Sequence, residues 1–159
     1  EGFDKLGHKL HQKGVKLNIV GEMSRFPKDI QEKSKRYMEL SRGNTKITVS
    51  FALNYGGRDE ILRAIRKLIA NIQHSTFNIQ HLNEETFGQF LDTADMPDPD
   101  LIIRTGGDLR LSGYFPWQSV YSELYFTNTL WPDFTPAELD KALEDYAGRE
   151  RRFGGGGKK

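Results

Sequence analysis

The chain has 159 residues, 36% of them hydrophobic and 28% charged, with 23 Lys plus Arg against 22 Asp plus Glu for a net charge of +1. That length suits one domain, and the balanced charge gives no general electrostatic grip on nucleic acid, so an anion must be held by a local cluster. The chain has no cysteine, which excludes disulfides and thiolate metal sites, and no apolar run approaches the ~20 residues that span a bilayer.

The first residues, EGFDKLGHKLHQKG, are charged throughout and unlike a secretory signal. Residue 1 is Glu, so the chain is expected to be part of a longer protein. Residues 3–13 read as an amphipathic helix with Phe3, Leu6 and Leu10 on one face, closed by Gly14. Residues 16–21 read as a short strand. Pro27 starts a helix that runs to about Leu40, and residues 42–44 make a turn. ITVSFALN, residues 47–54, is nearly all apolar or β-branched, the pattern of a parallel strand buried on both faces.

Residues 58–72 are the clearest helix, with Ile61, Leu62, Ile65, Leu68 and Ile69 at helical spacing. A short helix capped by Asn83 is expected over 83–92. Leu101-Ile102-Ile103 is a third strand, residues 114–121 a short helix, and residues 122–130 a fourth strand. Thr135, Pro136 and Glu138 fit the cap, first-turn and N3 positions of a last helix reaching about Arg149. Strands alternate with helices, which predicts an α/β fold with a mainly parallel central sheet flanked by helices. We expect a single domain over 1–153 and a flexible Gly/Lys tail over 154–159.

Ligands of open parallel sheets bind outside the carboxyl ends of the strands. Two glycine-bearing loops fall there: Asn54-Tyr55-Gly56-Gly57-Arg58 and RTGGDLRLSG, residues 104–113. Glycines let backbone N–H groups approach an anion, and arginine offers a planar donor fork that suits phosphate. Arg104, Arg110 and Ser112 could therefore clamp a diphosphate. A surface turn with two solvated arginines fits the same spacing. Arg58 reads better as a helix-start residue than as a phosphate ligand, and Trp117 and Trp131 read as packing anchors. Phe51 and Leu53, with the helix face of Phe3, Leu6 and Leu10, could line an apolar tunnel, although a central strand is apolar in any case.

RTGGDLRLSG, followed by Trp117-Gln118, the run Tyr121 to Phe126, and Leu130-Trp131-Pro132-Asp133-Phe134, resembles the C-terminal signature of the cis-prenyltransferases of the undecaprenyl diphosphate synthase type. The Asn54 to Arg58 loop and the ending Arg151-Arg152-Phe153-Gly154-Gly155 resemble further motifs of that family. The resemblance covers essentially the whole chain, in order. It implies a prenyltransferase, an enzyme that condenses isopentenyl diphosphate with an allylic diphosphate and releases pyrophosphate, for synthesis of polyprenyl carrier lipid. It assigns Arg104, Arg110 and Ser112, with Leu111 inside the segment, to substrate binding, and Glu123 to a Mg²⁺ ion, reached from the neighbouring subunit of a homodimer.

The family's N-terminal Asp-Gly-Asn-Gly-Arg-Trp loop has no counterpart here. The resemblance therefore implies an N-terminally truncated chain, without the essential aspartate, inactive by itself. No catalytic residue is assigned within it. Some relatives carry a metal-binding His where this chain has Leu109. The alternative is a non-catalytic partner subunit, expected to lose part of the Arg104, Arg110 and Ser112 set, all of which are present. A cytoplasmic location is expected, with peripheral membrane association through a lipid product, and no nucleic-acid partner.

Overall fold

A computed structural model describes residues 2–74 and 76–151. It divides into two compact units, Glu1–Asp95 and Met96–Lys159. The first contains α1 (Gly2–Gln12), β1 (Val15–Val20), α2 (Lys28–Leu40), β2 (Ile47–Ala52), α3 (Gly57–Gln73) and the short α4 (Glu84–Gly88). The second contains β3 (Leu101–Arg104), β4 (Glu123–Phe126) and α5 (Pro136–Ala147). The expected tail over 154–159, and all of the RRFGG ending after Arg151, lie outside the described residues.

Both strand pairs are parallel, as the α/β pattern requires. In the first unit Val15 pairs with Ile47 and Val20 with Ala52. In the second Leu101 pairs with Glu123 and Arg104 with Phe126. Each pair is its own two-stranded sheet among the described residues. This corrects the expectation that β2 is buried on both faces. Ile47 is 56% exposed and Phe51 36%, because among the described residues α1 and α2 pack chiefly on β1 and leave β2 less covered.

The first unit's core forms where α1 and α2 cover β1. Val15, Leu17 and Tyr37 are buried, with Phe3, Leu10 and Val49 against them. Tyr37 turns its hydroxyl out to the Asp4 carbonyl and carboxylate, so the ring is buried without stranding its polar atom. Helix α3 buries Gly57, Glu60, Ala64 and Leu68, while Leu62, Ile65 and Ile69 stay exposed. The buried stripe is thus rotated from the most apolar one, and it contains a glutamate.

Three local expectations also change. Residues 114–121 form turns and no helix. Phe115 has φ of +48° and Pro116 follows it, so an α-helix cannot pass through. β4 is only four residues long. Thr135 and Pro136 take the cap and first-turn places of α5, but no side-chain capping bond forms. Glu138 instead meets Thr129 and Lys141.

The chain leaves β1 through Gly21, at φ +113°. A Cβ there would stand 2.2 Å from the Leu53 carbonyl oxygen, a backbone atom that cannot give way. Gly21→Ala is expected to destabilise the protein by about 3 kcal/mol. Urea denaturation checks this, and an unchanged midpoint would contradict the packing described.

Candidate functional site

In the second unit, β3 ends at Arg104 and the chain enters the glycine loop. Gly106 and Gly107 have φ of +88° and +80°. Their N–H groups donate to the carbonyls of Thr129 and Thr127 at 2.9 Å each. A Cβ on Gly107 would meet Asn128 Oδ1 at 3.0 Å. The glycines therefore bind the loop tightly to residues 127–129. Their N–H groups are committed to those carbonyls, which corrects the expectation that they face an anion.

That anchoring gathers the side chains singled out from the sequence. Arg104 Nη1 donates to the Arg110 carbonyl and to Ser112 Oγ, the latter at 3.1 Å. Arg104 Nη2 donates to Asp108 Oδ2 at 2.8 Å, and Arg110 Nη2 to the same oxygen at 2.7 Å. Ser112 lies at φ +51°, a left-handed conformation unusual for serine, which the loop imposes. Arg104, Arg110 and Ser112 thus converge. Leu111, with Arg104, Thr105 and Tyr114, lines a cavity of about 330 Å³ beside the cluster.

Glu123 does not join them. It opens β4 opposite Leu101, whereas Arg104 stands opposite Phe126. Three residues of register separate the two, roughly 10 Å along a strand. Glu123 is paired with Arg149 Nη1 at 2.8 Å, and Arg149 also reaches the Leu124 carbonyl and Asp145. Among the described residues no group of three acidic or histidine side chains could hold a metal. One carboxylate suits Mg²⁺ only when phosphate oxygens and water complete the shell. Leu109 is 78% exposed and Trp131 74%, so Trp131 is a surface residue, stacked on Phe134, and not a packing anchor.

In the first unit, the loop after β2 sits on a charged network that the sequence reading missed. Arg63 makes a two-pronged pair with Asp92 at 2.6 and 2.5 Å and also holds Asp59 at 2.8 Å. The second Asp92 oxygen accepts from Gly21 N–H at 3.2 Å. Buried Glu60 accepts from the Tyr55 hydroxyl at 2.5 Å and from Asp92 N–H at 2.9 Å. The loops after β1 and β2 are thereby tied to one another. Arg58 is exposed at the start of α3. The detectable sequence signal was Asp59 and Arg63 at i, i+4; Asp92 offered none.

An apolar cavity of about 350 Å³ lies between α1, α2 and the sheet, with Phe3, Leu6, Leu10, Phe51 and Leu53 in its wall. Those are the side chains weighed from the sequence as tunnel-lining, and the structure brings all five together.

The family model described as "Putative undecaprenyl diphosphate synthase" matches residues 2–154. The curated isoprenyl transferase of Streptococcus pneumoniae is 46% identical over 159 residues, which cover 98% of this chain and 63% of that protein. That of Clostridium perfringens is 45% identical over 146 residues, 92% of this chain and 58% of that protein. Lavandulyl diphosphate synthase from Lavandula x intermedia, solved in complex with dimethylallyl diphosphate, matches with a TM-score of 0.91 at 36% identity, over 96% of this chain and 66% of its own. This chain spans less than two thirds of the length of these curated relatives.

The Arg63–Asp92 pair has a pH signature. Burial raises the Asp92 pKa, but the hydrogen bonds and charge of Arg63, with Lys67 and Gly21 N–H, outweigh it and hold it below the ordinary carboxylate value. A carboxyl with a depressed folded pKa adds stability above its unfolded pKa of about 3.9, and that stability is lost as pH falls through the folded value. Asp92→Asn should cost about 3 kcal/mol at pH 7 and flatten the decline of stability below about pH 4. Denaturant melts of both proteins between neutral and acid pH test this; parallel pH profiles would contradict it.

Proposed function

The chain belongs to the cis-prenyltransferase family of the undecaprenyl diphosphate synthase type, and from that premise we propose that it forms the isopentenyl-diphosphate half of a prenyl-chain-elongating active site. Arg104, Arg110 and Ser112 hold the diphosphate of isopentenyl diphosphate. The observation that carries this reading is that Arg104 bonds Ser112 Oγ and shares one Asp108 oxygen with Arg110, all within the glycine-anchored loop. Two guanidinium forks and a hydroxyl are the donors a diphosphate requires. Leu111 and the cavity beside it give room for the attached five-carbon group.

The allylic partner's hydrocarbon chain occupies the apolar cavity of the first unit, whose wall of Phe, Leu and Tyr side chains favours a lipid by removing it from water. The allylic diphosphate is held on the family's Asp-Gly-Asn-Gly-Arg-Trp loop, which this chain does not contain. Condensation breaks the carbon–oxygen bond of the allylic diphosphate, joins the two hydrocarbon parts, and releases pyrophosphate together with the proton that the isopentenyl unit loses as its double bond re-forms. The rate comes from placing the two substrates and offsetting diphosphate charge, with little acid–base work by this chain's residues.

Glu123 is the residue here that would hold Mg²⁺, releasing Arg149 to do so. When bound, the ion neutralises diphosphate charge. The register that keeps Glu123 away from Arg104 within one chain favours its service to the site of a second subunit, in a homodimer. Exposed Tyr121, Val120, Leu130 and Trp131 offer apolar surface for such an association. A non-catalytic partner role is less well supported, since all three clamp residues are present. No helix among the described residues is long and apolar enough to cross a membrane. Separately, by the family reading, we propose a cytoplasmic enzyme that meets the membrane through its lipid product.

The test is incorporation of labelled isopentenyl diphosphate into lipid, with farnesyl diphosphate and Mg²⁺. It compares this chain alone with the chain fused behind a segment carrying the Asp-Gly-Asn-Gly-Arg-Trp loop. The fusion should be active and the chain alone inactive. Arg104→Ala in the fusion should lower kcat/KM on the order of 100-fold or more, as loss of a charge-stabilising donor does. Unchanged activity in that variant would exclude the clamp assignment.

A further inference from the structure

Asp108 is absent from the sequence-based site, yet it lies at the centre of the cluster. A single oxygen of its carboxylate accepts from both guanidinium groups. That is where a phosphoryl oxygen would sit, because both are compact anionic acceptors for N–H donors at this distance. Arg104 is placed independently of Asp108, through the Arg110 carbonyl and Ser112 Oγ, and its side chain is only 24% exposed. Arg110 is 63% exposed, and its side chain is held by Asp108.

We propose that Asp108 is an internal anion that competes with diphosphate for the two arginines, and so sets how tightly the site holds its ligand. This rests on the reading of Arg104, Arg110 and Ser112 as a diphosphate clamp. In the empty site the carboxylate offsets the repulsion between two like charges. A ligand must displace it, and the fraction of molecules with Asp108 swung away scales every ligand's affinity alike. Weak anions such as orthophosphate then fail to fill the site, while a diphosphate, with more charge and more acceptor oxygens, still does. Asp108 is 42% exposed, so the displaced carboxylate enters water without moving the anchored backbone. The same group returns as a diphosphate leaves, which keeps an arginine clamp from trapping an elongated product.

The competition predicts a specific pattern in titration calorimetry of this chain with inorganic pyrophosphate and with orthophosphate. Asp108→Asn, and Asp108→Ala as a second variant, should bind both anions on the order of tenfold more tightly at low salt. The factor should be similar for the two anions and should shrink as ionic strength rises. Circular dichroism and melting confirm that each variant is folded. Weaker pyrophosphate binding would overturn the proposal, since Asp108 would then be organising the arginines. Unchanged binding would overturn it too, because the carboxylate would not be displaced. A gain confined to the more highly charged anion would mean long-range repulsion in place of competition.

Arg104→Ala separates this from the clamp reading. Added to the Asp108→Asn variant, it should abolish the gain. Pyrophosphate binding that ignores Arg104→Ala in the otherwise native chain, or that is undetectable in both the native chain and Asp108→Asn, would remove the clamp itself.

Discussion

Two guanidinium groups a hydrogen bond apart from a shared oxygen repel one another unless an anion lies between them. Arg104 and Arg110 are held in that arrangement, with Asp108 as the anion. The second unit's local structure serves this constraint. The β3–β4 register sets where Arg104 leaves the sheet. Gly106 and Gly107, in conformations other residues resist, tie the loop to residues 127–129. Ser112 is then turned back toward Arg104 at some conformational cost. A loop fastened by backbone bonds can hold charged side chains in readiness, which free arginines on a mobile turn could not do.

The first unit solves a different problem. Its apolar cavity needs walls that stay apart, and its loops at the strand ends need to stay together. Tyr37 and the α1–α2 pair handle the former. The Arg63–Asp92–Glu60 network handles the latter, joining Gly21, Tyr55 and α3 through nearly buried charges. Such a network adds little net stability when intact and is costly to break. It makes sense as a device for fixing loops, in a protein whose proposed chemistry depends on placement.

The regular elements were readable because apolar spacing reports them directly. Helices α1, α2 and α3 and the parallel pairs fall close to their expected residues. The convergence of Arg104, Arg110 and Ser112 was readable from the strand that precedes them and the glycines between. Asp108 stands in the same motif without a signal of its own, since one acidic residue between two arginines looks like ordinary surface charge. Asp92 could not be found at all: its partners Arg63 and Gly21 are distant in sequence, and only the fold brings them together. The exposure of Ile47 and Phe51 is not legible in the sequence, because apolar character reports what a strand can bury and not which elements cover it. The helix expected over 114–121 failed on one backbone angle, at Phe115, that hydrophobic pattern does not encode.

The most direct test of this account is a crystal structure of the chain bound to isopentenyl diphosphate. The diphosphate is expected between Arg104 and Arg110, with the Ser112 hydroxyl donating to it and Asp108 withdrawn from both guanidinium groups. A diphosphate bound elsewhere, with the Arg104–Asp108–Arg110 arrangement intact, would contradict it.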